Sequence, residues 1–67
     1  MIEVVVNGAP REIADGTSVA GLLEGLGVAV QTVVVERNGA LVTRTRFGEE
    51  LLADGDRLEL VRIVGGG

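Results

Sequence analysis

Only one stretch of this chain has helical periodicity. Val19, Leu22, Leu23 and Leu26 stand at i, i+3, i+4 and i+7 and make one apolar face of a short helix. Thr17 or Ser18 is the expected N-cap, with Ser18 preferred, its hydroxyl accepting from the free amides of the first turn. Gly21 stands where Glu or Gln would complete a capping box, and Gly27 is the expected stop. Gly21 and Gly25 each cost about 1 kcal/mol against alanine inside a helix, so packing has to hold this one. A single amphipathic helix covers one face of one sheet. The fold expected is therefore a two-layer α+β domain.

The flanking segments read as strands and turns. Ile2, Val4 and Val6 alternate with Glu3 and Val5, a strand with one buried face. Asn7-Gly8 is a tight-hairpin signal. Pro10 puts the return arm, with Ile13 inward, at a sheet edge, since proline cannot donate to a ladder. Val33-Val34-Val35 favours strand, and Glu36 facing water sends Val33 and Val35 inward and Val34 outward. Asn38-Gly39 turns the chain into a short strand, Ala40-Leu41-Val42. Thr43 to Glu50 is polar, Leu51-Leu52 reads as a buried plug, and Asp54-Gly55-Asp56 is a turn. Arg57 to Leu60 alternates with Leu58 and Leu60 inward, and the strand is expected to continue through Val64. Placing that last strand beside the first requires a parallel pair, which needs a crossover. The helical middle of the chain supplies one, but periodicity does not single out this topology among α+β arrangements.

The chain has 67 residues and reads as one domain. It has no cysteine or histidine, so neither a disulfide nor a structural zinc supports it. Aliphatics must supply the core. No apolar run approaches the ~20 residues of a membrane helix, and no signal peptide is visible, so a cytoplasmic location without membrane contact is expected. The net charge of −4 disfavours nucleic-acid binding and fits a partner with a basic surface. All six cations are arginine. Without His, Cys, Lys or Tyr, no activated nucleophile is available, and catalytic residues are expected to be absent. Asp54 and Asp56 are the only paired carboxylates worth weighing as a metal site. An Asp-Gly-Asp sequence is far more often a turn, and a metal would need further ligands.

The chain closes with Val64-Gly65-Gly66-Gly67. Terminal glycines are commonly no more than a frayed end. They also form an arm with no side chains, which enters a narrow slot and presents its own carboxylate.

Taken together, the opening strand with Asn7-Gly8, the Thr17-Ser18-Val19 cap, Val34-Val35-Glu36-Arg37-Asn38-Gly39, Asp54-Gly55-Asp56 and the Val-Gly-Gly-Gly end resemble the sulfur-carrier proteins of bacterial thiamin biosynthesis. The resemblance covers the whole chain. It implies a ubiquitin-like β-grasp fold, a mixed sheet of four to five strands with one helix across one face. The domain would span residues 1–64, with a flexible glycine tail at 65–67. It further implies that a partner adenylyltransferase, using ATP and Mg, adenylates the Gly67 carboxylate. Sulfur then replaces the adenylate to leave a thiocarboxylate, which thiazole synthase consumes. Gly65, Gly66 and Gly67 would thread into the partner, and the chain itself would bind no cofactor or metal. Related carriers for molybdopterin, tungsten-cofactor or amino-acid biosynthesis end similarly, and a plain interaction module with inert glycines is the reading from another class.

The β-grasp arrangement would put the first, last and third strands side by side. Strand parity then sends Val5, Val34, Val61 and Ile63 to the face the helix leaves open, ringed by Glu3, Glu36 and Glu59. Those four apolar residues are the expected partner-binding patch.

Overall fold

The computed structural model describes residues 1–63. Its elements are β1 (Ile2–Val6), β2 (Ala9–Ile13), α1 (Val19–Leu26), β3 (Val33–Arg37), β4 (Ala40–Val42) and β5 (Arg57–Arg62), with single 3₁₀ turns at Val30–Thr32 and Arg44–Arg46. The strands form one five-stranded sheet in the order β2-β1-β5-β3-β4. β1 and β5 run parallel, and the other neighbours are antiparallel. Two hairpins thus flank a central strand, and α1 crosses one face. This is the β-grasp topology.

Local chemistry explains the elements. Both hairpins turn on Asn-Gly pairs in the left-handed region, with φ of 49° and 83° at Asn7-Gly8 and 52° and 85° at Asn38-Gly39. That geometry matches the twist of the strands it joins. Pro10 lies on β2, an edge strand, where its missing N–H costs no ladder bond. Ser18 caps α1, its Oγ accepting from Gly21 N at 3.0 Å, and Gly27 ends it in the left-handed conformation.

The core is aliphatic apart from Phe47. Val4, Val6, Val19, Leu22, Leu23, Val33, Val35, Val42, Leu52 and Leu58 complete it, and Ile2, Ile13, Leu26 and Leu60 pack at its margins. The inward parity expected for all three central strands holds.

Two expectations need correction. Leu51-Leu52 is not a buried pair: Leu52 is buried, but Leu51 is 56% exposed. The segment runs antiparallel to the start of α1, with Leu52 N donating to Thr17 O and Val19 N to Glu50 O at 2.9 Å each. Extended pairing alternates the side chains, so only one leucine faces in. The last strand ends at Arg62; its expected continuation through Val64, and the Gly65–Gly67 tail, lie outside the described residues.

Candidate functional site: the open sheet face and the tail base

α1 leaves the second face of the sheet uncovered, and strand register decides what meets there. β3 and β5 pair Val34 with Val61 and Glu36 with Glu59. Asn38 N donates to Arg57 O and Ile63 N to Thr32 O, each at 2.7 Å. These bonds fix the alternation: the outward residues of β3 and β5 occupy the hydrogen-bonded pairs, with Cα atoms about 5.5 Å apart.

The open face therefore consists of rows. Val34 and the 59% exposed Val61 form one, with Ile63, 52% exposed, one step further toward the tail. Glu36 and Glu59 form the next, with Leu41, 65% exposed, opposite Glu36 on β4. Val5 does not join the valines of β3 and β5. It pairs with Arg57, four residues before Val61 on β5, or roughly 13 Å at 3.3 Å per residue. The acidic row lies between. The four expected patch residues thus occupy two places: Val34, Val61 and Ile63 at the tail end, and half-buried Val5 beside Pro10 and Arg57 at the other. Glu3 lies beyond Val5, opposite Glu12.

Two glutamates directly opposed across a ladder repel one another. Among the described residues neither Glu36 nor Glu59 takes part in an ion pair. Their negative potential is directed at solvent.

The far end of the sheet is fixed by a polar network that sequence reading did not single out. Asp56 is 7% exposed. Its Oδ2 accepts from Arg37 Nε and from Ala53 N, both at 2.8 Å, and its Oδ1 accepts from Asn38 Nδ2 at 3.0 Å. Arg37 also donates to Glu50 at 3.0 Å. Burial alone would raise the Asp56 carboxyl, but the Ala53 amide, Asn38 and Arg37 outweigh it and hold its pKa below the ordinary value. Burial likewise opposes the charge on Arg37, and its bonds to Asp56 and Glu50 more than restore it.

The other aspartate, Asp54, accepts from Glu3 N at 2.8 Å. Both members of the Asp-Gly-Asp turn are therefore engaged in holding loops. Among the described residues no three potential metal ligands cluster, and no helix is long and apolar enough to cross a membrane.

Asn7 and Asn38 do more than permit turns. Asn7 Oδ1 accepts from Leu60 N at 2.7 Å, and Asn38 Oδ1 accepts from Arg57 N at 2.9 Å. Each carboxamide continues the ladder along β5 where a neighbouring strand has turned away. An Asn in a tight-turn pair next to a central strand is the only sequence signal for this.

Comparison with known proteins places this arrangement. A model described as the ThiS family matches residues 4–67. The crystal structure of the thiamine biosynthesis protein ThiS from Geobacter metallireducens superposes with a TM-score of 0.84 at 36% identity, covering 98% of this chain and 100% of that one. A thiazole synthase of Magnetococcus marinus is 42% identical over 66 residues, 98% of this chain but 20% of that protein. The chain thus spans about a fifth of the length of the thiazole synthases it matches. An uncharacterised ycf40 protein of Pyropia yezoensis is 38% identical, over 98% of this chain and 93% of its own length.

Proposed function

We propose, from the premise that this chain belongs to the ThiS family, that it is a sulfur carrier of thiamine biosynthesis and that the Gly67 carboxylate is the carrying group. The family match carries this reading, because it runs the length of the chain through the terminal glycines. The chain is then a substrate of its partners and not a catalyst.

A carboxylate resists substitution because it has no good leaving group. In the proposed cycle an adenylyltransferase supplies Mg-ATP, the Gly67 carboxylate attacks the α-phosphorus, and pyrophosphate leaves. A sulfide-level sulfur nucleophile then attacks the acyl carbon, the acyl–oxygen bond to AMP breaks and AMP departs, leaving the thiocarboxylate; where the nucleophile is a persulfide, the acyl disulfide first formed is cleaved by a thiol, which supplies the two electrons and leaves as the disulfide. Thiazole synthase takes that sulfur. Every activating group belongs to a partner, which fits a chain without His, Cys or Lys. Gly66 and Gly67 lack Cβ atoms, which would let a backbone there pass close to the nucleotide.

Docking would use the open face. Val34, Val61 and Ile63 offer an apolar contact next to the tail, and the Glu36–Glu59 row favours arginine or lysine on the partner. Val5 stands at the margin of such a footprint.

The experiment is intact-mass measurement after incubation with ATP, a sulfur donor and the adenylyltransferase. The expected outcome is exchange of one oxygen for sulfur, confined to a fragment containing Gly67. A chain extended past Gly67 should show none. Modification elsewhere, or none with an active adenylyltransferase, would overturn the reading.

A further inference from the structure

The central strand outruns one of its neighbours. β5 is in register with β1 only at Val5↔Arg57 and Val6↔Leu58, because β1 turns away at Asn7-Gly8. The next ladder position on that side, Leu60, is taken by a side chain. Asn7 Oδ1 accepts from its N–H at 2.7 Å, and Asn7 Nδ2 donates to its carbonyl at 3.3 Å.

One step further lies Arg62. It is opposite Val33 on β3, between the bonded pairs, so its N–H and C=O point toward the side β1 has left. Among the described residues neither group has a partner. Beside this position is a cleft of about 350 Å³, lined by the apolar Val6, Leu26, Val28, Val33 and Leu60 and by the polar Asn7 and Arg62. The Arg62 side chain is exposed and, among the described residues, in no ion pair.

A donor and an acceptor on a strand without partners among the described residues, beside a cleft with an apolar floor and a cation, form a site for strand addition. Main-chain bonds supply affinity, and the pocket under alternate side chains supplies selectivity. We propose that this position receives an extended segment of thiazole synthase, which pairs with the Arg62 backbone, sets one apolar side chain into the cleft and places a carboxylate on the Arg62 guanidinium.

Two observations favour that occupant. Thiazole synthases of two organisms contain 66 residues similar to this chain within their own polypeptide, so the synthase and this surface occur together. Arg62 also lies three residues before Gly65, so a strand paired there would aim the tail along the partner. The inference rests on the carrier reading and deepens it. Among the described residues the opening is a single ladder position wide, too short to template pairing between copies along a whole edge.

The test is amide hydrogen exchange, followed by NMR, on the whole chain with and without the thiazole synthase of the same organism. The Arg62 amide should exchange freely in the isolated chain and about tenfold or more slowly in the complex, as gain of a hydrogen bond requires. A second arm compares Arg62→Pro with Arg62→Ala. Proline removes an N–H that has no partner among the described residues, so both variants should unfold at nearly the same midpoint. The proline variant should bind synthase about tenfold more weakly than the alanine variant.

A complex that forms while Arg62 still exchanges freely overturns strand addition and leaves the carrier reading standing. Protection in the isolated chain that grows with concentration assigns the site to a second copy; protection independent of concentration assigns it to the chain's own tail. Either result overturns the proposal. If Arg62→Pro fails to fold, the exchange measurement on the unaltered chain decides. Absence of any complex counts against the carrier reading itself, and the proposal falls with it.

Discussion

At the scale of single residues, Val61 separates docking from folding. It points away from α1, is 59% exposed and faces Val34 across the ladder. Val61→Asp adds a third negative charge beside Glu36 and Glu59 and removes the apolar centre of the proposed contact. Affinity for the adenylyltransferase or thiazole synthase should fall by about 2 kcal/mol, the scale of a central contact. The unfolding midpoint should move by the equivalent of about 1 kcal/mol, the scale of strand propensity and cross-strand charge repulsion, well short of the cost of a buried site. Titration calorimetry and urea unfolding on the same preparation check both. A collapsed midpoint would mean that Val61 supports the fold, and unchanged affinity for both partners would remove it from the interface.

At the scale of elements, α1 carries a test of what holds it. An added Cβ at Gly25 would meet nothing within 4 Å, whereas one at Gly21 would lie 3.3 Å from Thr17 Cγ2 and 3.5 Å from Ser18 Oγ. Gly25→Ala should therefore raise stability by about 1 kcal/mol, the propensity difference. Gly21→Ala should gain less, because the cap must yield to fit it. Thermal unfolding of the two variants side by side reads the difference. The elements were legible wherever period or turn chemistry spoke. Val4, Val35 and Leu58 face the core by parity, and the Asn7-Gly8 and Asn38-Gly39 pairs mark both hairpins. Legibility failed where neither applied. Residues 43–56 have no sustained period, so the 3₁₀ turn at Arg44–Arg46, burial of Phe47 and the outward side chain of Leu51 were not foreseen. Parity gave each outward face correctly, but the distance between Val5 and Val61 depends on the register of a parallel pair. A crossover of some fifty residues sets that register, and no local pattern encodes it. The terminal glycines, which the sequence marks as the candidate carrying group, lie outside the described residues.

For the molecule as a whole, the Asp56 network ties together pieces remote in sequence: the β3–β4 turn through Asn38, the loop before β5 through Ala53, and Arg37 with Glu50. The Asp56 pKa is lower folded than unfolded. Its contribution to stability is therefore complete above the unfolded value of about 3.9 and is lost as pH falls through the folded value. Urea midpoints measured downward from about pH 5 should fall over that range, and Asp56→Asn should flatten the fall while lowering stability at neutral pH by about 2 kcal/mol. An unchanged acid limb in the variant would assign acid sensitivity to other carboxylates. The strand order has a consequence for how the chain comes into being. β5 lies at the centre of the sheet, yet it is the last of the described strands to be synthesised. Until the ribosome has delivered it, the β1–β2 and β3–β4 hairpins have no strand between them and keep open edges. The two halves of the nascent chain must wait apart, exposed to strand pairing with neighbours, and the sheet closes only when its keystone arrives.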